Sequence, residues 1–197
     1  MKNKNYFDRE LKEAKLNAKL ILVSSQIAET IGAWSIDCTK KLFKEIGKEK
    51  NNVSQEFVEV FLQFAVFFNY SFNLILFQRL SGDTYKKFSD TITKMFSENF
   101  VKLFYKGKAG KNSITDAKNK YSNEIASFVN DSIKTYVELV MSSENQKRFV
   151  MSLSLLSRNM AEKLGLGDSK ELTIKLSVII KEIMDVKKVE ELVTKSL

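Results

Sequence analysis

A stretch of 19 consecutive uncharged residues, Val60 to Gln78, constrains the fold of this chain more than any other feature. It belongs to an apolar segment, Phe57 to Leu80, whose seven phenylalanines recur at intervals of three, four and seven, as on a helix. A helix that is apolar over most of its circumference is either the centre of a bundle or a membrane span. Its amide side chains and the nearby Glu59 are costly in hydrocarbon, so we favour a central helix at about residues 54–80 and no transmembrane span.

The rest of the chain has the same helical periodicity. It contains no proline and only 7 glycines, and these two residues are the main breakers of helices. Apolar residues recur at steps of three and four in each long segment, and cap or turn residues separate the segments. The sequence therefore predicts an all-α fold, a single domain over residues 1–197, built as a bundle of about six to eight helices around the central one.

Cap and turn residues predict where individual helices begin and end. The first helix covers about residues 6–46, and its Gly32–Trp34 segment predicts a close approach by another helix or a bend. Asn52 has the position of a cap for the central helix. Gly165 follows the end of a later helix, and the last helical region is expected to break near Asp185.

Several kinds of chemistry are excluded or disfavoured by composition. The chain has no histidine, which removes the commonest general base and the usual transition-metal ligand. Its single cysteine, Cys38, cannot form an internal disulfide and is expected to be a small buried hydrophobe. We therefore expect a non-enzymatic protein with no cofactor and no metal site.

The sequence also lacks the pattern of a phosphate-binding loop and that of a signal peptide. The loop KGKAGKN, residues 106–112, has glycines and lysines but lacks the spacing of a phosphate-binding loop, because Tyr105 and Asn112 stand where glycine and a hydroxyl residue are needed. The N-terminus is too charged to contain the apolar core of a signal peptide. By default, this predicts a cytoplasmic protein.

A polar stripe lies on the otherwise apolar central helix. Glu59 and Gln63 are four residues apart, as are Asn69 and Asn73, so each pair stacks on one side of the helix. Such a stripe fits either the wet edge of a bundle or a mostly apolar cavity with a few oriented polar groups. One alternative function is therefore a carrier or sensor of an apolar small ligand or lipid. Its predicted ligand-binding residues are Glu59, Gln63, Asn69, Tyr70 and Asn73.

The chain is basic, with a net charge of +8. This surplus favours acidic partners, and five lysines in and after the 106–112 loop are candidate contacts to phosphate. They are Lys106, Lys108, Lys111, Lys118 and Lys120. Arginine, which grips phosphates and bases better than lysine, is scarce. A lysine-rich binder of nucleic acid or of an anionic membrane is thus a further alternative.

Aromatic residues suggest assembly as the leading function. Eleven of the 15 phenylalanines lie between Phe57 and Phe104, which is more aromatic surface than one bundle layer needs. Part of it is expected to form a symmetric dimer interface. The predicted interface residues are Phe61, Phe64, Phe68, Phe88 and Phe96. The sequence thus favours a protein that acts by association, as a homodimer or with another protein.

Overall fold

The structure of the chain is a computed structural model. It describes residues 2–48, 54–105, 111–141, 145–167 and 169–194, and those residues form seven helices and no strand. In chain order the helices are α1 (Lys2–Glu45), α2 (Gln55–Arg79), α3 (Gly82–Phe104), α4 (Lys111–Met141), α5 (Asn145–Leu164), α6 (Ser169–Ile183) and α7 (Val186–Thr194). The predicted all-α bundle of six to eight helices is confirmed.

Helix α2 is the centre of the bundle, as its sequence predicts. It packs against α1, α3, α4, α5 and α7. Among the described helices it alone has the length and apolar composition of a membrane span, and 72% of its apolar stretch is buried by the rest of the chain. Such burial is typical of the core helix of a bundle. The cytoplasmic location stays a prediction.

Stacked and edge-on aromatic rings fill the space around α2. Trp34 of α1 packs against Phe68 and Phe72, with ring centroids 5.4 and 5.8 Å apart. Two turns nearer the start of α2, Phe61 contacts three rings of α3, and the shortest centroid distance, 5.1 Å, is to Phe104. Offset and edge-to-face pairs of this kind add to the stabilisation that burial alone provides.

The helix ends follow local chemistry. The Ser54 hydroxyl accepts a hydrogen bond from the Phe57 backbone N–H at 3.1 Å and caps α2, whereas the predicted cap Asn52 lies outside the described residues. Gly47 and Gly165 have φ of +67° and +65°, the left-handed conformation that ends helices and favours glycine. The predicted break near Asp185 is confirmed, since α6 ends at Ile183 and α7 begins at Val186.

Helix α1 is one continuous helix of 44 residues. The Ser35 hydroxyl donates to the Ile31 carbonyl at 2.6 Å, so this serine lies within the helix. At Gly32 itself no described helix comes close, because a Cβ atom built there would meet nothing within 4 Å, whereas Trp34 of the same segment packs against Phe68 and Phe72 of α2. Among the described side chains of α1, Leu20 is the first that is buried, and those before it are exposed. We call residues 11–22 the N-terminal arm.

Candidate functional site

The polar stripe of α2 is divided by the fold into separate environments. Glu59 lies near the surface, where its carboxylate accepts a hydrogen bond from the Gln55 amide at 2.9 Å. Gln63 is buried, and its side-chain oxygen accepts from the Asn159 amide of α5 at 3.3 Å. These two predicted ligand residues therefore have partners within the chain.

The other three predicted ligand residues are buried within one turn of α2, and Tyr70 contacts Tyr136 of α4; we call these four residues the polar cluster. The Asn73 amide donates to both the backbone and the side-chain oxygen of Asn69, at 2.9 and 2.8 Å. The Tyr70 ring packs on Tyr136 with centroids 5.2 Å apart. All four side chains are at most 3% exposed. Asn69, Tyr70 and Asn73 are thus neighbours within one turn of α2, and their predicted role in ligand binding stays a prediction.

This cluster contains polar atoms with no hydrogen-bond partner among the described residues. They are Asn69 Nδ2, Asn73 Oδ1, Tyr70 Oη and Tyr136 Oη. A buried polar atom without a partner costs about 1–3 kcal/mol. Burial raises the pKa of both tyrosines, because it disfavours the phenolate. The cluster is therefore a polar site whose hydrogen-bonding capacity the described residues do not satisfy.

Tyr70 also lines a surface cleft of about 380 Å³ between α2, α5 and the α6–α7 connection, which we call the Tyr70 cleft. Its lining residues are Tyr70, Ser71, Leu74, Ile75, Gln78, Arg148, Phe149, Ser152 and Met184. The Arg148 charge acts on the pKa of Tyr70 in the direction opposite to burial, because a nearby cation favours the phenolate. Of the five predicted ligand residues, Tyr70 is the one that lines this cleft.

A second concave surface, also of about 380 Å³, lies between α1 and α3 and is mainly apolar. We call it the α1–α3 groove. Its walls and floor are Ala28, Glu29, Gly32, Ala33, Ile36, Phe61, Phe96, Asn99, Phe100, Lys102 and Leu103. The small side chains of Ala28, Gly32 and Ala33 leave this space open. The sequence predicts a close helix contact or a bend at this segment, whereas the space beside Gly32 is open to solvent.

The phenylalanines predicted to form a dimer interface are all in the core of one chain. Phe61, Phe64, Phe68, Phe88 and Phe96 are each at most 1% exposed. A second copy cannot contact Phe64, Phe68 or Phe88 while the fold is intact. Phe61 and Phe96 reach a surface feature as the floor of the α1–α3 groove. The abundance of phenylalanine in this part of the chain reflects a thick core, so a dimer interface requires other residues.

Some of the five lysines predicted to contact phosphate lie outside the described residues. Lys106 and Lys108 lie there, as does the side chain of Lys111. Lys118 and Lys120 are exposed on α4. Two residues along a helix turn about 200°, so these two lysines point away from each other and do not form one patch.

No catalytic constellation emerges from the described part of the chain. It holds no group of three or more histidine, cysteine or acidic residues close enough to bind a metal. Cys38 is fully buried among apolar side chains, and that burial raises the pKa of its thiol. A buried neutral thiol is a poor nucleophile. The two concave surfaces are thus the features from which a function can be argued.

Comparisons with known proteins identify no relative of this chain. No family model, no curated protein and no solved structure matches the chain.

Proposed function

We propose that this protein is non-enzymatic and functions by pairing with a second copy of itself through α1. One observation carries the proposal: a single face of α1 presents exposed apolar side chains along the N-terminal arm and the open α1–α3 groove further on. Leu11, Ile21 and Leu22 are 45%, 53% and 60% exposed. Unpartnered apolar surface of this kind favours association.

The arm and the groove share a register. Leu11, Ala18, Ser25 and Gly32 follow one another at intervals of seven residues. A repeat of seven keeps side chains on one side of a helix and is the spacing by which two helices pack along each other. The arm is therefore a continuation of the α1 face that borders the groove.

An antiparallel pair about a two-fold axis near Leu22 would bring these surfaces together. Leu11 and Ala33 are both eleven residues from Leu22, so Leu11 of one copy would lie opposite Ala33 of the other, beside the open space at Gly32. At 1.5 Å per residue the arm is about 17 Å long, whereas the groove occupies about 12 Å of α1. In the pairing about Leu22, residues 11–16 of the arm would lie opposite residues 28–33, which are most of the groove's α1 wall.

Charge complementarity favours the same pairing. Lys15 and Glu29 are both seven residues from Leu22, and both are exposed. In the antiparallel arrangement Lys15 of each copy would face Glu29 of the other, which gives two opposite-charge contacts per dimer. Such contacts at the rim of an interface fix register and orientation more than they add affinity. A second copy of this chain is therefore the partner that fits the face.

The test is sedimentation velocity over a series of protein concentrations. The wild-type chain should show a concentration-dependent dimer. Gly32→Lys should shift the protein to monomer, because a long side chain would fill the groove. It should not destabilise the chain, since a Cβ at this position meets no atom and glycine is a poor residue for a helix interior. Gly82→Lys, with the same charge change at another open helical glycine, is the control and should leave the dimer intact.

A charge exchange tests the orientation separately. Lys15→Glu should weaken the dimer by placing like charges opposite each other, and Lys15→Glu combined with Glu29→Lys should restore it. A wild-type chain that stays monomeric at every concentration would overturn the proposal. A dimer unaffected by Gly32→Lys would show that association uses another surface.

A further inference from the structure

We infer that helix α3 forms the second half of the self-association site, with Leu103 as the residue that receives the partner's Leu11. This inference rests on the proposed function, because it requires the antiparallel pairing of two α1 helices. It goes beyond that function by adding a contact on a different helix, which makes α3 a determinant of which chain can pair with this one.

Leu103 is the exposed apolar residue of a helix whose other large apolar side chains are buried or half-buried. It is 57% exposed, belongs to the last turn of α3 and lines the α1–α3 groove. Helix α3 is described throughout, and no other large apolar side chain on it is as exposed. A single exposed leucine is ordinary, but a leucine at the wall of an open apolar groove extends the surface that a partner can cover.

The directions of the helices place Leu103 at one end of the groove. Helix α2 is antiparallel to both α1 and α3, because residue numbers rise along one helix of each pair as they fall along the other. The ring contacts that show this are Trp34–Phe72 and Phe43–Phe57 between α1 and α2, and Phe61–Phe104 and Phe77–Tyr85 between α2 and α3. Helices α1 and α3 are therefore parallel. Leu103, the last α3 residue of the groove, lies at the end to which α1 contributes Ile36.

The proposed pairing brings the partner's Leu11 to this same end. Leu11 would lie opposite Ala33, which is three residues, or about one turn, from Ile36. Leu11 is 45% exposed, Ala33 is exposed and Ile36 is half-buried, so each has apolar surface that the contact would cover. Leu103 completes this contact from the α3 side.

The rotation of the arm turns it toward α3. At about 100° per residue, Gly32 and Ile36 lie about 100° and 60° to one side of Ala33, and this is the side on which the groove is open toward α3. On the arm, Ala14 lies about 60° to the same side of Leu11. A two-fold axis perpendicular to both helices brings the same side of each helix together. The arm therefore presents the small Ala14 side chain to the groove, which lets it approach α3 closely.

The experiment is sedimentation velocity of two variants, first alone and then mixed. Leu103→Lys places a charge against the partner's Leu11 in both grooves of the dimer. The dissociation constant should rise by about tenfold for each groove and about a hundredfold in all. Leu11→Glu should have the same effect from the other side of the contact. An equimolar mixture should dimerise at a concentration at which neither variant does, because one groove then has both leucines and the other has lysine opposite glutamate.

Val178→Lys is the matched control. Val178 is 52% exposed on α6 and does not line the groove, so the same change of charge should leave the dimer unaffected. Melting followed by circular dichroism should show that Leu11→Glu and Leu103→Lys keep the fold, since both side chains are about half exposed in the single chain.

The outcomes separate this inference from the proposed function. A dimer that is weakened by Gly32→Lys but not by Leu103→Lys would overturn the role of α3 and leave self-association through α1 standing. A mixture that stays monomeric, or equal weakening by Val178→Lys, would also overturn the role of α3. A wild-type chain that is monomeric at every concentration would instead overturn the proposed function, and this inference with it.

Discussion

Replacing Phe68 by alanine should be among the most destabilising single changes in this protein. Phe68 is fully buried at the middle of α2, and its ring contacts Trp34, Phe64 and Phe67 at centroid distances of 5.4, 6.3 and 5.6 Å. Truncating a core phenylalanine removes its burial and leaves a cavity, at a cost of about 3–5 kcal/mol. Since domains of this kind are stable by about 5–15 kcal/mol, a fifth or more of the stability is at stake.

Phe77→Ala is the matched control. Phe77 is on the same helix and undergoes the same chemical change, but it is 57% exposed and has one described ring contact, with Tyr85 at 5.3 Å. Its removal should cost no more than about 1 kcal/mol. The difference between the two variants therefore measures burial in the core, not the propensity of phenylalanine for a helix.

Urea unfolding at one fixed protein concentration would measure both variants. Circular dichroism follows the helices, and the fluorescence of Trp34, the only tryptophan, follows the core directly. Trp34 is 7% exposed and packs on Phe68, so its emission should shift to longer wavelength on unfolding. Equal losses of stability in Phe68→Ala and Phe77→Ala would refute this arrangement of α2 in the core.

Two other outcomes follow from the described contacts. The pKa values of Tyr70 and Tyr136 are raised by burial above the value of about 10 that tyrosine has in an unfolded chain, so the unfolded state loses protons first as pH rises. These two tyrosines should therefore leave the stability independent of pH below about pH 10 and lower it above that pH. In melting curves recorded at increasing pH, Tyr136→Phe should lessen this loss of stability. An unchanged loss would contradict the burial of Tyr136 as its cause. Ser54→Ala should cost about 0.5–2 kcal/mol in urea unfolding by removing the α2 cap, whereas Ser54→Asp keeps an acceptor for the Phe57 N–H and should restore most of it.

Helix content and helix ends were predictable because they depend on local chemistry. The steps of three and four between apolar residues predict six to eight helices without reference to their partners, and the described residues form seven. Gly47, Gly165 and the break near Asp185 mark their ends through backbone preference. The spacing of Asn52 and Gln55 predicts Asn52 as the cap of α2, whereas Ser54, which offers a similar side-chain acceptor, caps the helix. Only the start of the helix decides between them.

The candidate sites were only partly predictable. The amide and tyrosine cluster could be anticipated, since Asn69, Tyr70 and Asn73 lie within one turn of α2. Its partners could not, because Tyr136 and Arg148 are more than 60 residues away along the chain. The α1–α3 groove could have been sought from the residues that follow one another at intervals of seven from Leu11 to Gly32. Small residues in such a repeat, however, indicate equally a close helix contact or an open space.

The sequence by itself determined that this chain is helical, that α2 is at its centre and that histidine chemistry is absent, because periodicity and composition are properties of neighbouring residues. Only the tertiary structure decided which apolar residues are covered. It buried the phenylalanines that had the appearance of an interface and left Leu11, Ile21 and Leu22 in solvent. Apolar side chains look alike in a sequence, and their exposure depends on which helices pack against them.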